Sequence, residues 1–431
     1  MKIYNCFNRK KTLLLTLPIV LTLGGCGQTP GPQPAGAAGA NPAKTETAPA
    51  VSTDAKSPAA PADSGESKTI QARLTGFHAV DERTAYAWGL SAGGQFRLYR
   101  TADGGGTWHE SASPTSAQQK GDPGPEAIQA ADSTHLVYVP AGHTLPASVS
   151  VSADGGATWK EGMLPEGVAG GEAVFTDKAH GYLMNQPDAA MGSSRKVICE
   201  TTDGGVTWSV VMDNQAMEQK PDQAQGLLPL QGFANRGMAF RDTDNGWVPL
   251  ESRTPGKVTL YRTKDKARTW QELSLDVSSR DDQGQPQITG APEFFGGEAQ
   301  SGWMPYEYRH GDVVSLGAYF TEDGGETWKL TSFGKEADVM AKLSSTGLTF
   351  LSGREGWMWN GAHLLHTADG GKAWTPLAGN TVFQDTLKSY PYLISLEFVT
   401  PKTGWALVRS EKGDASRLLR TEDGGATWKV M

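Results

Sequence analysis

Cysteine is almost absent from this 431-residue chain, which has only Cys6, Cys26 and Cys199. Two of these fall within the first 26 residues, so Cys199 stands alone in the body of the chain and no disulfide framework can form. Its setting, VICETT, reads as a buried strand. Long hydrophobic runs are also missing. The apolar stretch Thr12–Leu23 is too short to span a bilayer as a helix, which needs about 20 residues. Beyond Arg9, Lys10 and Lys11 there is no basic cluster, and 39 basic against 47 acidic side chains leave a formal charge of −8. A chain of that sign is not built for nucleic acid. No zinc-ligand spacing occurs: His363 and His366, three apart on an expected strand, point to opposite faces. No metal and no cofactor is expected.

Two further motifs do not survive their context. Gly89-Leu90-Ser91-Ala92-Gly93 has the spacing of a nucleophile elbow, which needs a strand-to-helix turn, but here it lies between two strands of a hairpin. Asp242–Gly246 begins like a calcium loop, yet Arg253 occupies the twelfth position, where a bidentate glutamate belongs.

Residues 27–67 contain no aromatic side chain and are dominated by Ala, Pro, Gly, Thr and Ser, a composition that cannot offset its own ordering entropy. They read as a disordered tether spanning on the order of 35 Å as a coil. Ahead of them the apolar stretch ends Leu23-Gly24-Gly25-Cys26. This resembles the lipobox of bacterial lipoproteins, and the resemblance implies that Cys26 becomes the acylated N-terminus. The expected division is a signal peptide over 1–25, a lipidated tether over 26–68 and a folded region over 69–431. The first 25 residues hold four basic and no acidic side chains, so their removal takes the charge from −8 to −12. Such acidity means a well-solvated surface.

What the chain does have is repetition. The pattern Ser/Thr-x-Asp-Gly-Gly-x-Thr-Trp recurs at Thr101–Trp108, Ser152–Trp159, Thr201–Trp208, Thr263–Trp270, Thr321–Trp328, Thr367–Trp374 and Thr421–Trp428. The fourth copy, TKDKARTW, loses both glycines, and the sixth has Ala373 in place of threonine. Each copy reads as a tight hairpin turn. Its aspartate (Asp103, Asp154, Asp203, Asp265, Asp323, Asp369 and Asp423) accepts N–H groups of its own turn, and its second glycine supplies a positive φ. Its tryptophan leaves on the next strand to be buried. A second series runs out of phase: a strand, a polar turn, then Gly-aromatic, as in Phe240–Val248, Phe398–Ala406, Phe350–Met358, Phe175–Leu183 and Phe294–Met304. Two interleaved series with seven members each predict seven units of four short antiparallel strands. That is an all-β, seven-bladed β-propeller. The blades are expected to start near 72, 125, 170, 234, 291, 345 and 391, with Thr427–Met431 as the last outer strand.

The first series resembles the Asp-box (bacterial neuraminidase) repeat. Paired with the Gly-Trp strands, it is similar to the propellers of photosystem II stability/assembly factors and their bacterial relatives, over roughly 70–431. The resemblance implies the fold far more than an activity, since such propellers include sialidases, other glycosidases, sorting receptors and non-enzymatic scaffolds. The Arg-Ile/Leu-Pro segment implied for a sialidase is absent from this sequence.

In a propeller the Asp motifs sit opposite the variable loops, so function is expected on the other face. There the longest connection is 209–236, and the inserts are Asn185–Lys196 and Tyr306–Val314. The cluster Tyr306-Glu307-Tyr308-Arg309-His310-Gly311-Asp312 combines aromatic, charged and imidazole groups. Tyr306, Arg309 and His310, with Arg195, Glu251, Arg253 and Trp359, are the candidate binding face, and substituting Tyr306 or Arg309 is expected to spare stability.

The function read from all this is a monomeric, membrane-tethered, extracytoplasmic binding or assembly module, without catalysis or nucleic acid, whose partner is an envelope protein or a polysaccharide. The alternative is a sialidase-like glycoside hydrolase or a carbohydrate-binding lectin. Two or three carboxylates converging at the funnel mouth would favour that alternative.

Overall fold

Each Asp-motif hairpin joins the third strand of a four-stranded antiparallel sheet to the fourth, and seven such sheets form a seven-bladed β-propeller. The computed structural model describes residues 70–118, 122–140, 147–219, 224–252, 254–277, 284–296, 300–340 and 347–431, so the expected signal peptide, the tether, Cys26 and Arg253 lie outside the described residues. Blade 1 runs Arg73–Ala79, Ala85–Leu90, Phe96–Thr101 and His109–Ser111, from axis to rim. The later inner strands begin at Ile128, Glu172, Ala239, Glu293, Gly347 and Tyr392.

The Phe…Gly-Trp series has a direct physical reason. Phe240 pairs with Gly246 across the first hairpin of blade 4, and its ring lies over the glycine, where an added Cβ would sit 2.5 Å from a ring carbon. The same approach recurs at Gly181 under Phe175, Gly356 under Phe350 and Gly404 under Phe398. Only glycine admits an aromatic ring so close to the backbone. The tryptophan that follows, as in Trp247, Trp303, Trp357 and Trp405, is fully buried between blades. Seven apolar clusters result, one at each junction between successive blades, including the junction of blade 7 with blade 1.

Among the described residues that last junction closes the ring without strand exchange. Blade 7 consists of Tyr392–Phe398, Gly404–Arg409, Ser416–Thr421 and the short Lys429–Val430, all consecutive in sequence. Leu74 N–H donates to Ser416 Oγ at 2.7 Å, and Ala79 N–H donates to the buried carboxylate of Glu397 at 2.9 Å. Trp108 and Trp405 meet edge to face at 6.1 Å.

Blade 5 departs from the pattern. Its middle strands, Ser301–His310 and Val313–Thr321, run ten and nine residues. The extension is flanked by Gln285–Ile288 on one side and Val339–Met340 on the other. The segment expected as a loop insert at Tyr306–Val314 is thus a raised β-hairpin standing about 13 Å, some four residues of strand, above the other blades.

Candidate functional site

The Asp motifs are structural cages on the turn face. In the third copy, Asp203 Oδ1 accepts from Thr201 Oγ1 at 2.9 Å and from Thr207 N–H at 2.9 Å, while Oδ2 accepts from Thr207 Oγ1 at 2.6 Å. The first motif glycine ties the cage to the neighbouring hairpin turn of its own blade, as Gly204 N–H does to Ala179 O at 2.8 Å and Gly424 N–H to Lys402 O at 2.8 Å. Burial tends to raise these carboxyls, but the threonine hydroxyl and N–H donors outweigh it. Asp103, Asp154, Asp203, Asp265, Asp323 and Asp423 are therefore held below the ordinary carboxylate range. Asp369 is lowered by Ala373 N–H and then by Thr367. The second glycine of each copy that keeps it takes a positive φ as expected, as at Gly105 (87°), and the first does so too, as at Gly104 (75°). In the fourth copy, Lys266 (60°) and Ala267 (63°) adopt the same conformation, and the Asp265 cage is complete all the same.

The opposite face carries the concave features. An axial cavity of about 300 Å³ is lined by residues at the head of the inner strands, with contributions from blades 2 to 7. Its carboxylates are the half-buried Glu126, Glu172 and Glu293, and its apolar walls include Leu348, Ile394 and Leu396. Trp303 Nε1–H donates to Glu293 Oε2 at 3.3 Å. Ser395 also lines the cavity; it is 5 % exposed and its hydroxyl has no hydrogen-bond partner among the described residues.

Asn235 and Gly237 line this cavity, and Arg236 between them lines a second concavity of about 290 Å³. This polar groove runs between Leu250–Thr259 of blade 4 and Gln285–Ile288 of blade 5. Arg236 donates to Gln287 Oε1 at 3.1 Å, and Asn235 Nδ2–H donates to Glu251 Oε1 at 2.5 Å. Beside the groove, burial pushes the Glu307 carboxyl up while Arg236 and Arg309 pull it down.

The sequence-derived candidates divide accordingly. Glu251 lines the groove. Arg309 is exposed beside it and His310 is exposed at the hairpin tip. Tyr306 is not on the surface: it is 2 % exposed, because alternate residues of an extended strand turn inward, and it meets Tyr319 edge to face at 5.5 Å. Trp359 is 7 % exposed and lies against Phe383 of the helix Thr381–Ser389, which covers it. Arg195 is engaged near the rim of blade 3, donating to both carboxylate oxygens of Asp213 at 3.0 and 2.5 Å. These three do not join the groove.

Sequence reasoning missed Glu126, Glu172, Glu293 and Ser395. A signal existed for the glutamates, since each stands at, or two residues before, the start of an inner strand. It also missed Lys196, a fully buried lysine whose ammonium donates to Ser194 O, Pro229 O and Leu230 O at 3.1, 2.8 and 3.2 Å and pins the long 209–236 connection. Burial lowers its pKa to about 8. Cys199 is buried on Val197–Thr201 as expected, and burial pushes its thiol up to about 12. Among the described residues no group of three His, Cys, Asp or Glu side chains could hold a metal ion.

No protein-family model matches the chain, and no curated protein matches it. Solved structures do. An ulvan lyase of polysaccharide lyase family 25 superposes with a TM-score of 0.50 at 12 % identity, over 85 % of this chain and 95 % of the lyase. YCF48 bound to a D1 peptide gives 0.48 at 16 %, over 82 % and 93 %. A glycoside hydrolase family 74 xyloglucanase from Xanthomonas campestris gives 0.48 at 15 %, over 84 % of this chain and 55 % of the enzyme. At these identities the chain is similar to them in fold, and the likeness goes no further.

Proposed function

We propose that this propeller is a non-catalytic binding module of the bacterial envelope, tethered through an acylated Cys26, that holds an extended segment of another envelope protein across its loop-bearing face. The observation that carries the reading is the adjacency of axial cavity and groove. They are separated only by Asn235–Gly237, so a chain crossing that ridge contacts both. Rigid scaffolds present ligand sites in this way, with concave patches lined by apolar groups and a few placed polar ones. YCF48 is seen with a peptide and the ulvan lyase with a glycan, so both ligand classes occur on similar folds; the reading here rests on this chain's own surface.

Photo-cross-linking in cells tests it. A cross-linking residue at His310 or Thr254 on the loop face should trap one defined protein, while one at Lys372 or Lys266 on the turn face should not. Cross-links from the turn face alone would overturn the proposal. The anchor has its own test: Cys26→Ala should release a folded, soluble protein, and retention of that variant in membranes after a high-salt wash would refute acylation.

The three cavity glutamates favour a second reading, glycan cleavage, because general acid–base work on a glycosidic bond needs paired carboxylates. Hydrolysis of envelope or plant polysaccharides that disappears in Glu293→Gln would establish that reading in place of the first.

A further inference from the structure

We infer that Lys196 is a positioning residue for the binding face: its ammonium fixes the ridge Asn235–Gly237, and with it the passage between cavity and groove, before a partner arrives. The inference rests on the binding reading above and names what shapes that face. Lys196 stands just before the strand Val197–Thr201 and is fully buried. Taking an ammonium out of water is costly, and an apolar side chain would fill the same space without that cost. What the ammonium offers is three donors. Each meets a carbonyl, and the carbonyls belong to two separate segments: Ser194 O in the blade 3 insert, and Pro229 O and Leu230 O in the long connection. Lys196 thus ties one segment to the other at a point where Pro229 has no N–H of its own to give.

The tie belongs to a continuous row. Asn214, also fully buried, accepts the Lys196 N–H at 2.7 Å and donates from Nδ2 to Leu228 O at 3.0 Å. Ser194 N–H donates to Leu230 O at 2.8 Å, Ser193 bridges Gln231, and Gly232 N–H donates to Gly192 O at 2.9 Å. Glu251 N–H donates to Phe233 O at 3.0 Å. Gln186 grips both sides of Ala234, accepting its N–H at 3.0 Å and donating to its carbonyl at 3.2 Å. The same amide oxygen of Gln186 accepts from Ser194 Oγ at 3.0 Å. The buttress for this row is a short hairpin, Ala189–Ala190 with Ser193–Ser194, turned at Met191 and Gly192 with φ of 49° and 80°. Every residue from Leu228 to Ala234 is therefore held, and Asn235 and Arg236 follow directly. The ridge arrives preformed, which spares a partner the cost of ordering it.

The test compares the full chain with Lys196→Met, which keeps the bulk of the stem and removes the donors, and with Lys196→Ala, which removes the atoms of a propylammonium ion. Hydrogen exchange of segment 228–236 is followed by mass spectrometry, with 201–208 on the turn face as reference. Both variants should exchange 228–236 at least about tenfold faster and leave 201–208 unchanged. Added propylammonium should restore slow exchange to Lys196→Ala, and propanol of the same bulk should not. In cells, a ridge ordered in only about a tenth of the molecules should cut the adduct trapped from His310 about tenfold. Wild-type exchange in Lys196→Met, rescue by propanol as well as by propylammonium, or collapse of the whole fold in Lys196→Met would overturn the inference. A loosened ridge with the His310 adduct undiminished would overturn it too and leave the binding face standing. A wild-type chain that cross-links only from the turn face sinks the binding reading, and the positioning role with it.

Discussion

Asp203→Ala removes the acceptor of three hydrogen bonds, and burial decides what that loss is worth. Thr207 is exposed, so water takes over its N–H and hydroxyl. Thr201 is 1 % exposed, and its hydroxyl both donates to Asp203 and accepts from Gly205 N–H at 2.9 Å. Without the carboxylate its proton has no acceptor, which costs about 1–3 kcal/mol. With a melting entropy of about 2.1 cal/mol/K per residue over the roughly 330 described residues, the melting temperature should fall by roughly 1–4 °C. The sixth motif sharpens the test. Asp369 lacks the threonine hydroxyl at its outer edge, where Ala373 offers only its N–H at 3.0 Å, but Thr367 is as buried as Thr201. Asp369→Ala should therefore cost nearly as much as Asp203→Ala. Asp265→Ala should cost no less, because its cage holds Lys266 and Ala267 in a left-handed conformation. Thermal melts of the three variants decide the matter. A neutral Asp369→Ala beside a costly Asp203→Ala would show that the exposed threonine carries the energy, and the argument from the buried hydroxyl would fail.

Other outcomes follow from the same geometry. Gly246→Ala should destabilise by about 1–3 kcal/mol in urea melts, because its Cβ would strike the Phe240 ring, which is already stacked on Tyr182 at 3.8 Å. Lys266→Gly should stabilise by about 0.5–1 kcal/mol, the relief of a left-handed residue less the added chain entropy. Tyr306→Ala should lose about 3–5 kcal/mol, as large buried aromatics do, while Arg309→Ala leaves the melting temperature unchanged. The caged aspartates have pKa values depressed in the fold, so their contribution is present above the ordinary aspartate value of about 3.9 and is lost as pH falls below it. Circular dichroism during acid titration should show the ring holding at about pH 5 and failing only below about pH 4; loss at higher pH would point to another group.

The architecture was legible because its determinants are local. The Asp cage spans Thr201 to Trp208, and the Phe240–Gly246 contact closes within one hairpin, so a few adjacent letters encode each. The site is not local. Glu126 and Ser395 share a cavity only because seven blades close a ring, and no period in the sequence links them. Tyr306 was misplaced for a related reason. Aromatic and charged residues in Tyr306–Asp312 read as a binding loop, but Tyr306 and Tyr308 two apart are also the mark of a strand with one buried face, and the flanking strand Gln285–Ile288 supplies the partner. Arg195 and Trp359 were misjudged because their covers, Asp213 and the helix Thr381–Ser389, lie about 20 residues downstream.

The seam between blades 7 and 1 gives the ring a mechanical character. The chain reaches blade 1 at its innermost strand, and the last strand, Lys429–Val430, lies at the rim of blade 7. Because no strand among the described residues is shared across the seam, tension on Ile70 bears on a rung-by-rung ladder with Ala85–Leu90 and on side-chain contacts to blade 7. Under load such a ring yields by parting at that junction, with the hub splaying open. The cavity walls include Ile394, Ser395 and Leu396 on one side of the seam and Glu126 beyond blade 1 on the other. A group seated there bridges the gap, so pulling on the chain and filling the cavity act against each other: occupancy raises the force the ring withstands, and force expels the occupant.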